Sequence, residues 1–221
     1  ITKMSNIHFV ANKIYKKRII QLGENPKNIY IVGGLGNDSI NKTKFFKKKY
    51  LEKKLQIKFK KYNFLVTYHP ETLNKNSAQK QIQELLYSLV KLKDTSIIFT
   101  KPGADIESDI ISKRIKKFIK KKNNMYFFDS LGQQNYLSML KIVDGMIGNS
   151  SSGLLEMPYF KKGTINIGSR QSGRVFSKSV INIEMKKNEI LNAIKKILSK
   201  KFKKNIKKFK DPYGDPGASS K

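Results

Sequence analysis

Short apolar runs alternate with amphipathic stretches along the whole chain. Runs at 7–11, 28–32, 63–68, 96–100, 125–128, 145–147, 164–167 and 180–183 are short and rich in Ile, Val and Phe. That is the pattern of strands buried on both faces, which need no polar alternation. Between them Ile82, Leu85, Leu86, Leu89 and Val90 follow the three-and-four spacing of a helix, with a cap expected at Asn76 or Ser77. Ile110, Ile111, Arg114, Ile115, Phe118 and Ile119 mark a second helix, and Ile190, Ile194 and Leu198 a third. Strict alternation of strand and helix predicts an α/β fold: a Rossmann-like, doubly wound parallel sheet with helices on both faces.

One stretch breaks the alternation. Residues 39–61 are lysine-rich and helical in pattern, and separate a βαβ unit from a longer α/β run. The chain is accordingly expected to divide into 1–38, a remnant of an N-terminal α/β domain; 39–61, a connecting helical segment; 62–205, a nucleotide-binding domain; and 206–221, a tail. Two strands cannot bury a sheet alone. The first residue, Ile1, already leads into a strand, so the chain is expected to be a fragment, with an exposed apolar face on residues 1–38.

Composition narrows the function. No apolar run approaches the roughly 18–20 residues of a membrane span, and no signal peptide is visible at the start; a cytoplasmic protein without membrane contact is expected. The absence of cysteine excludes disulfides, thiolate metal sites and a cysteine nucleophile. Two histidines make a His-rich metal site a poor expectation, and neither metal nor cofactor is expected. The formal charge is +30, from 46 basic and 16 acidic residues, a balance that invites a nucleic-acid reading. Yet only Arg18, Arg114, Arg170 and Arg174 are arginine; the rest are scattered lysines without the interleaved aromatics of a base-reading surface. A solvated lysine surface with no specific nucleic-acid partner is the reading adopted, and a basic nucleic-acid-binding module the alternative.

Four loops carry candidate chemistry, each directly after a predicted strand. In Gly145-Met-Ile-Gly-Asn-Ser150-Ser151-Ser152-Gly-Leu-Leu-Glu156-Met-Pro158 an apolar strand ends in small hydroxyl residues and opens a helix. Such a helix start offers unpaired N–H groups to a phosphate, and Glu156 could accept hydrogen bonds from a ribose diol. A plain serine cap with a dipole-favoured glutamate reads equally well. Gly168-Ser-Arg170-Gln-Ser-Gly-Arg174 places half of the arginines within five residues, fork-shaped donors that suit phosphate or carboxylate. Val66-Thr-Tyr-His69-Pro-Glu-Thr72 offers His69 for a diphosphate contact or proton transfer, against a structural strand-end role. Pro102-Gly-Ala-Asp105 is the fourth. Together, at the carboxyl edge of one sheet, they predict a nucleotide-binding crevice.

The same motifs resemble a known family. Ile1-Thr-Lys-Met-Ser-Asn-Ile-His-Phe9, Thr67-Tyr-His-Pro-Glu-Thr72, Gly148-Asn-Ser-Ser-Ser-Gly153 with Glu156, Ile165-Asn-Ile-Gly-Ser-Arg-Gln-Ser-Gly-Arg174 and Asp211-Pro-Tyr-Gly-Asp215 are together similar to the hydrolysing UDP-N-acetylglucosamine 2-epimerases of sialic- and legionaminic-acid biosynthesis. The likeness covers the whole chain but only the C-terminal half of a full-length member. It implies a two-domain glycosyltransferase-B-like enzyme with its site in the interdomain cleft, and a homo-oligomer when full length. It implies that His69, Ser150 and Ser151 hold the diphosphate, Glu156 the ribose, and Arg170 and Arg174 the phosphate and sugar side. Leu131 would meet the uracil through its backbone. Asp105 ends the loop where the family usually has Pro-Asn-x-Asp and this chain has Pro-Gly-Ala-Asp. The implied reaction removes the C2 proton of a nucleotide sugar, eliminates the nucleotide diphosphate and adds water, releasing the free 2-epimeric sugar. Its acidic catalytic residues are expected in the N-terminal domain, with His69 a further candidate. The substrate stays open between UDP- and GDP-linked forms of N-acetylglucosamine or a diacetamido sugar. A glycosyltransferase of the same architecture is the alternative among enzymes.

Overall fold

Two parallel sheets organise the chain. The structure is a computed structural model and describes residues 1–71, 78–103, 105 and 107–221. The first sheet pairs β1 (His8–Val10) with β2 (Ile29–Ile31) across α1 (Lys13–Gln21). There follow α2 (Leu35–Lys42), α3 (Lys48–Leu55), β3 (Tyr62–Thr67), α4 (Ala78–Leu89), β4 (Thr95–Thr100), α5 (Ser108–Ile119), β5 (Met125–Phe128), α6 (Gln133–Ile142), β6 (Gly145–Gly148), α7 (Ser152–Leu155), β7 (Gly163–Ile167), β8 (Val180–Ile183), α8 (Lys187–Leu198) and α9 (Lys200–Lys207). The eight apolar runs are the eight strands, each to within a residue at either end. The cap expected at Asn76 or Ser77 lies outside the described residues, as do Thr72 and Ala104 of two of the motifs.

The six strands of the second sheet run in the order β5-β4-β3-β6-β7-β8, all parallel. Their continuous apolar sequences follow from burial on both faces. Phe64, Val66, Ile97, Phe99, Ile147, Ile165 and Ile167 join one core with α4, α5 and α8. Leu65, Ile98 and Met146, one residue out of phase, join a second core with α2, α3 and α6. Ile110 differs from the expected helix face: it is 44% exposed, because one step along a helix turns it about 100° from the buried Ile111.

Two stretches differ from the sequence picture. Residues 39–61 do not form one helix: α2 ends at Lys42 and α3 begins at Lys48. Ile40, Leu51, Ile57 and Phe59 are buried in the second core, so the stretch covers a face of the sheet. Residues 206–221 fold back on the first sheet. Asp38 accepts hydrogen bonds from the N–H groups of Gly217 (2.5 Å), Ala218 (3.2 Å) and Ser219 (2.7 Å). The bonds from Ser219 and then from the Gly217 and Ala218 backbone hold the Asp38 carboxyl well below the usual carboxylate range. Within residues 1–35, Ile1, Met4, Ile7, Phe9, Ile14, Ile20, Leu22, Tyr30, Ile31 and Leu35 are exposed, ten of the fourteen exposed large apolar residues among those described.

Candidate functional site

The chain leaves β3 toward β4 on one side and returns to β6 on the other. Between β3 and β6 the connections therefore diverge, which opens a crevice at the carboxyl edge of the sheet. Gly148 closes β6 there at φ +134°; a Cβ at this position would lie 2.0 Å from Thr67 O, so only glycine lets the two strand ends approach. His69 follows β3, and Asn149 and Ser150 follow β6.

Asn149, wholly buried, binds the two ends together. Its Oδ1 accepts from His69 N–H (2.7 Å) and its Nδ2 donates to His69 C=O (2.8 Å). Its own carbonyl accepts from Gln171 Nε2 (2.7 Å) and Arg170 Nη1 (3.5 Å). Glu71 secures the same loop from the other side, accepting from Ser169 N–H at 2.8 Å, in the space a Cβ on Gly168 (φ +76°) would fill. Loops separated by 80 to 100 residues thus share one hydrogen-bonded frame.

Within that frame His69 Nδ1 lies 3.1 Å from Asp105 Oδ2 and 3.2 Å from Gly103 N. A protonated Nδ1 donates to the carboxylate; an unprotonated one accepts from Gly103, so the two contacts belong to two protonation forms. Burial, then the Arg170 charge, hold the imidazole below its ordinary pKa, and Asp105 opposes them. Arg170 Nη2 sits 3.4 Å from the same Asp105 oxygen. The His69–Asp105–Arg170 line separates two pockets. One, of about 370 Å³, is lined by His69, Lys101, Leu131, Tyr136 and Ser150 among others. The other, of about 400 Å³, is lined by Glu71, Asp105, Arg170, Gln171 and Arg174 among others. A larger pocket of about 570 Å³ adjoins the second, but its walls include Glu71, Glu184 and Glu189 and no basic residue, a poor match to an anion.

The structure thus brings His69, Asp105, Leu131, Ser150, Arg170 and Arg174 around adjoining pockets. Leu131 is buried, and its carbonyl already accepts from Asn135 Nδ2 at 2.7 Å. Ser151 and Glu156 line neither pocket. Ser151 caps α7, its carbonyl accepting from Leu154 and Leu155 N–H, both at 2.9 Å. Glu156 stands behind the first pocket: Tyr136 OH donates to Ser152 Oγ at 2.6 Å, and Ser152 Oγ donates to Glu156 Oε2. Burial pushes the Glu156 carboxyl up, and the Ser152 bond pulls it back down. Two sequence expectations need correction. Helix α7 is only four residues long, so it has no developed macrodipole, and Glu156 is its C-terminal cap and not part of its first turn. Of the three serine hydroxyls, that of Ser152 is spent inside the protein. Asn149, Glu71, Gln171 and Tyr136 were not singled out from the sequence; the only local signal was their place in or beside motifs already noted. Among the described residues no group of three or more His, Asp or Glu is placed to hold a metal ion, and no helix is long and apolar enough to cross a membrane.

Compared with known proteins, residues 1–221 match the family model described as UDP-N-acetylglucosamine 2-epimerase. A Campylobacter jejuni protein named GDP/UDP-N,N'-diacetylbacillosamine 2-epimerase (hydrolyzing) is 46% identical over 93% of this chain and 53% of its own length. Polysialic acid biosynthesis protein P7 of Escherichia coli is 42% identical over 96% of this chain and 54% of its own. The chain therefore spans about half the length of the curated relatives it matches. Among solved structures, a UDP-N-acetylglucosamine 2-epimerase from Neisseria meningitidis bound to UDP-GlcNAc aligns with a TM-score of 0.74 at 15% identity, over 99% of this chain and 60% of that one. A protein of Listeria monocytogenes aligns with a TM-score of 0.77, also at 15% identity, over 99% and 58%. At such identities the likeness is one of fold.

Proposed function

Since the chain belongs to the UDP-N-acetylglucosamine 2-epimerase family along all of its 221 residues, we propose that it is the nucleotide-binding part of a hydrolysing nucleotide-sugar 2-epimerase of the cytoplasm. The observation that carries the reading is the His69–Asp105–Arg170 line at the divergence of β3 and β6, with one pocket on each side. The substrate class is a UDP- or GDP-linked N-acetylated amino sugar, the class for which the Campylobacter relative is named.

On this reading the first pocket takes the nucleoside, with the base against the backbone of Leu131 and the ribose toward Tyr136 and Glu156. The diphosphate lies across His69 and Ser150, with Ser151 set back from both pockets as the cap of α7, and Arg170 and Arg174 approach it from the second pocket. The reaction begins with loss of the C2 proton to a base. The C2 electron pair forms the C1–C2 double bond as the C1–O bond breaks, and the nucleoside diphosphate leaves with the electron pair of the C1–O bond. Water then adds its oxygen to C1, and a proton returns to C2 on the opposite face. Arginine forks and hydroxyls stabilise the charge that grows on the leaving diphosphate. The family's remaining length supplies the other wall of the cleft, so the 221-residue chain binds nucleotide without turnover.

Calorimetry on the chain tests the nucleotide assignment. With the ribose taking the place of Ser152 at the carboxylate, Glu156→Ala should weaken UDP binding by about 1.5–3 kcal/mol, the range of hydrogen bonds to a charged group, and leave inorganic phosphate unaffected. Equal losses for both ligands would remove Glu156 from ribose recognition. For the reaction, a chain of the relatives' full length should release nucleoside diphosphate and a free 2-epimeric sugar without any acceptor. No release from UDP-GlcNAc or from its diacetamido analogues would refute the activity.

A further inference from the structure

The motif Asp211-Pro-Tyr-Gly-Asp215 lines neither pocket, yet it reaches the loop that carries both crevice arginines. Tyr213 is 4% exposed and seated on the end of β2: its carbonyl accepts from Gly34 N–H at 2.7 Å, and a Cβ on Gly34 would stand 3.2 Å from its own Cβ. From there its hydroxyl donates to Val175 C=O at 2.9 Å. Val175 N–H in turn donates to the Tyr15 hydroxyl at 3.3 Å, and the two phenol oxygens are 3.2 Å apart. With the Tyr213 proton on Val175 O and the Val175 proton on Tyr15 O, the Tyr15 proton has one acceptor left, the Tyr213 oxygen. Three donors and three acceptors close a ring in which each bond polarises the next. Burial, and then the Tyr15 phenol, hold the Tyr213 phenol above its ordinary pKa. One turn further along α1, Arg18 lies over the Tyr15 ring, 5.5 Å from its centroid, and donates to Gly173 C=O.

We propose that Tyr15 and Tyr213 are positioning residues for Arg170 and Arg174. The hydrogen-bonded ring fixes the 168–175 loop against the β1–α1–β2 unit, so the place of the arginines at a bound diphosphate follows the place of that unit. The inference rests on the nucleotide reading for its consequence and on the ring geometry for its cause, and the test separates them. Tyr15→Phe and Tyr213→Phe are each made in the 221-residue chain; each keeps its aromatic ring and breaks different bonds of the circuit. Amide hydrogen exchange in the free protein should quicken at residues 172–175 by roughly 3- to 10-fold, the worth of one net hydrogen bond, and stay unchanged in β3 and β4. UDP affinity should fall by a similar factor while uridine, which carries no phosphate, binds as before. Unchanged exchange in the loop would overturn the proposal, and so would equal weakening of UDP and uridine, which marks a general loss of structure. If the unaltered chain binds no UDP, the nucleotide reading fails, and the exchange measurement still decides whether the ring sets the loop. Should one variant fail to fold, the other carries the test.

Discussion

Replacing Asn149 by alanine tests the frame on which the crevice depends. The side chain is wholly buried and both its polar atoms are engaged on one residue, His69, at 2.7 and 2.8 Å. Truncation leaves the N–H and the C=O of His69 without partners. A buried group so abandoned costs about 1–3 kcal/mol. His69 keeps a side-chain exposure of 12%, which admits some water to the gap and favours the lower part of that range. Two such groups give an expected loss of about 2–4 kcal/mol. Asn149→Asp sharpens the test: one oxygen can still accept from His69 N–H, but the other now faces the His69 carbonyl where an N–H₂ stood. Both variants should lower the urea midpoint with an unchanged m value, and both should weaken UDP binding through the displaced His69 and arginine loop. A loss below about 0.5 kcal/mol for Asn149→Ala, within the range of an ordinary surface change, would refute the claim that this side chain holds the loops together.

Two further outcomes follow from single residues. The His69 imidazole, depressed by burial and by Arg170, should titrate below about 6.5 in the free chain; its contribution to stability is present above that unfolded value and is lost as pH falls through the depressed midpoint. A bound diphosphate favours the imidazolium and should move the midpoint up, so an NMR titration that starts above about 6.5, or does not move with UDP, contradicts the assignment. Gly148→Ala places a Cβ 2.0 Å from Thr67 O at φ +134°, and since neither strand can shift without parting β3 from β6, a loss of about 3–5 kcal/mol is expected. A loss under about 1 kcal/mol by urea denaturation would show that the strand ends can separate, because small overpacking changes of that size are absorbed elsewhere.

The strands of the second sheet were legible because burial on both faces writes itself locally, as short stretches dense in Ile, Val, Leu, Met and Phe; β1 and β2 carry the same kind of stretch but leave Phe9, Tyr30 and Ile31 exposed. The carboxyl-edge loops were legible for the same reason, since the position of each motif is fixed once its strand is. Helix α7 was not. Its serine-rich start promised a full helix, but Pro158 cannot donate to the Leu154 carbonyl, and the chain turns into a 3₁₀ segment over Met157–Phe160. The burial of α3 was hidden by its charges: Leu51 stands in a stretch with Lys48, Lys49, Glu52, Lys53 and Lys54, and only the opposing sheet face reveals it as a core residue. Asn149 and Tyr213 were unreadable in a different way. Their partners lie 80 and 198 residues distant along the chain, and no local pattern encodes a hydrogen bond over that separation.

The carboxylate at the centre of the crevice then acquires a physical sense. A site for a diphosphate gains nothing from Asp105 by simple attraction, yet Asp105 is where His69 and Arg170 meet. In the free chain it gives Arg170 a partner at 3.4 Å and holds the guanidinium over the crevice. Both side chains of that pair are 32% exposed, and a contact of this kind is worth roughly 0–1 kcal/mol. An arriving diphosphate can therefore draw Arg170 away at small cost, and a bidentate fork to phosphate is the stronger contact. Asp105 is left with His69, whose protonation it favours. The exchange would turn a weak internal ion pair into two ligand-directed cations. On that proposal lysine at position 170 would follow the charge but not the fork, and Arg170→Lys should weaken UDP binding while leaving the net charge of the loop unchanged.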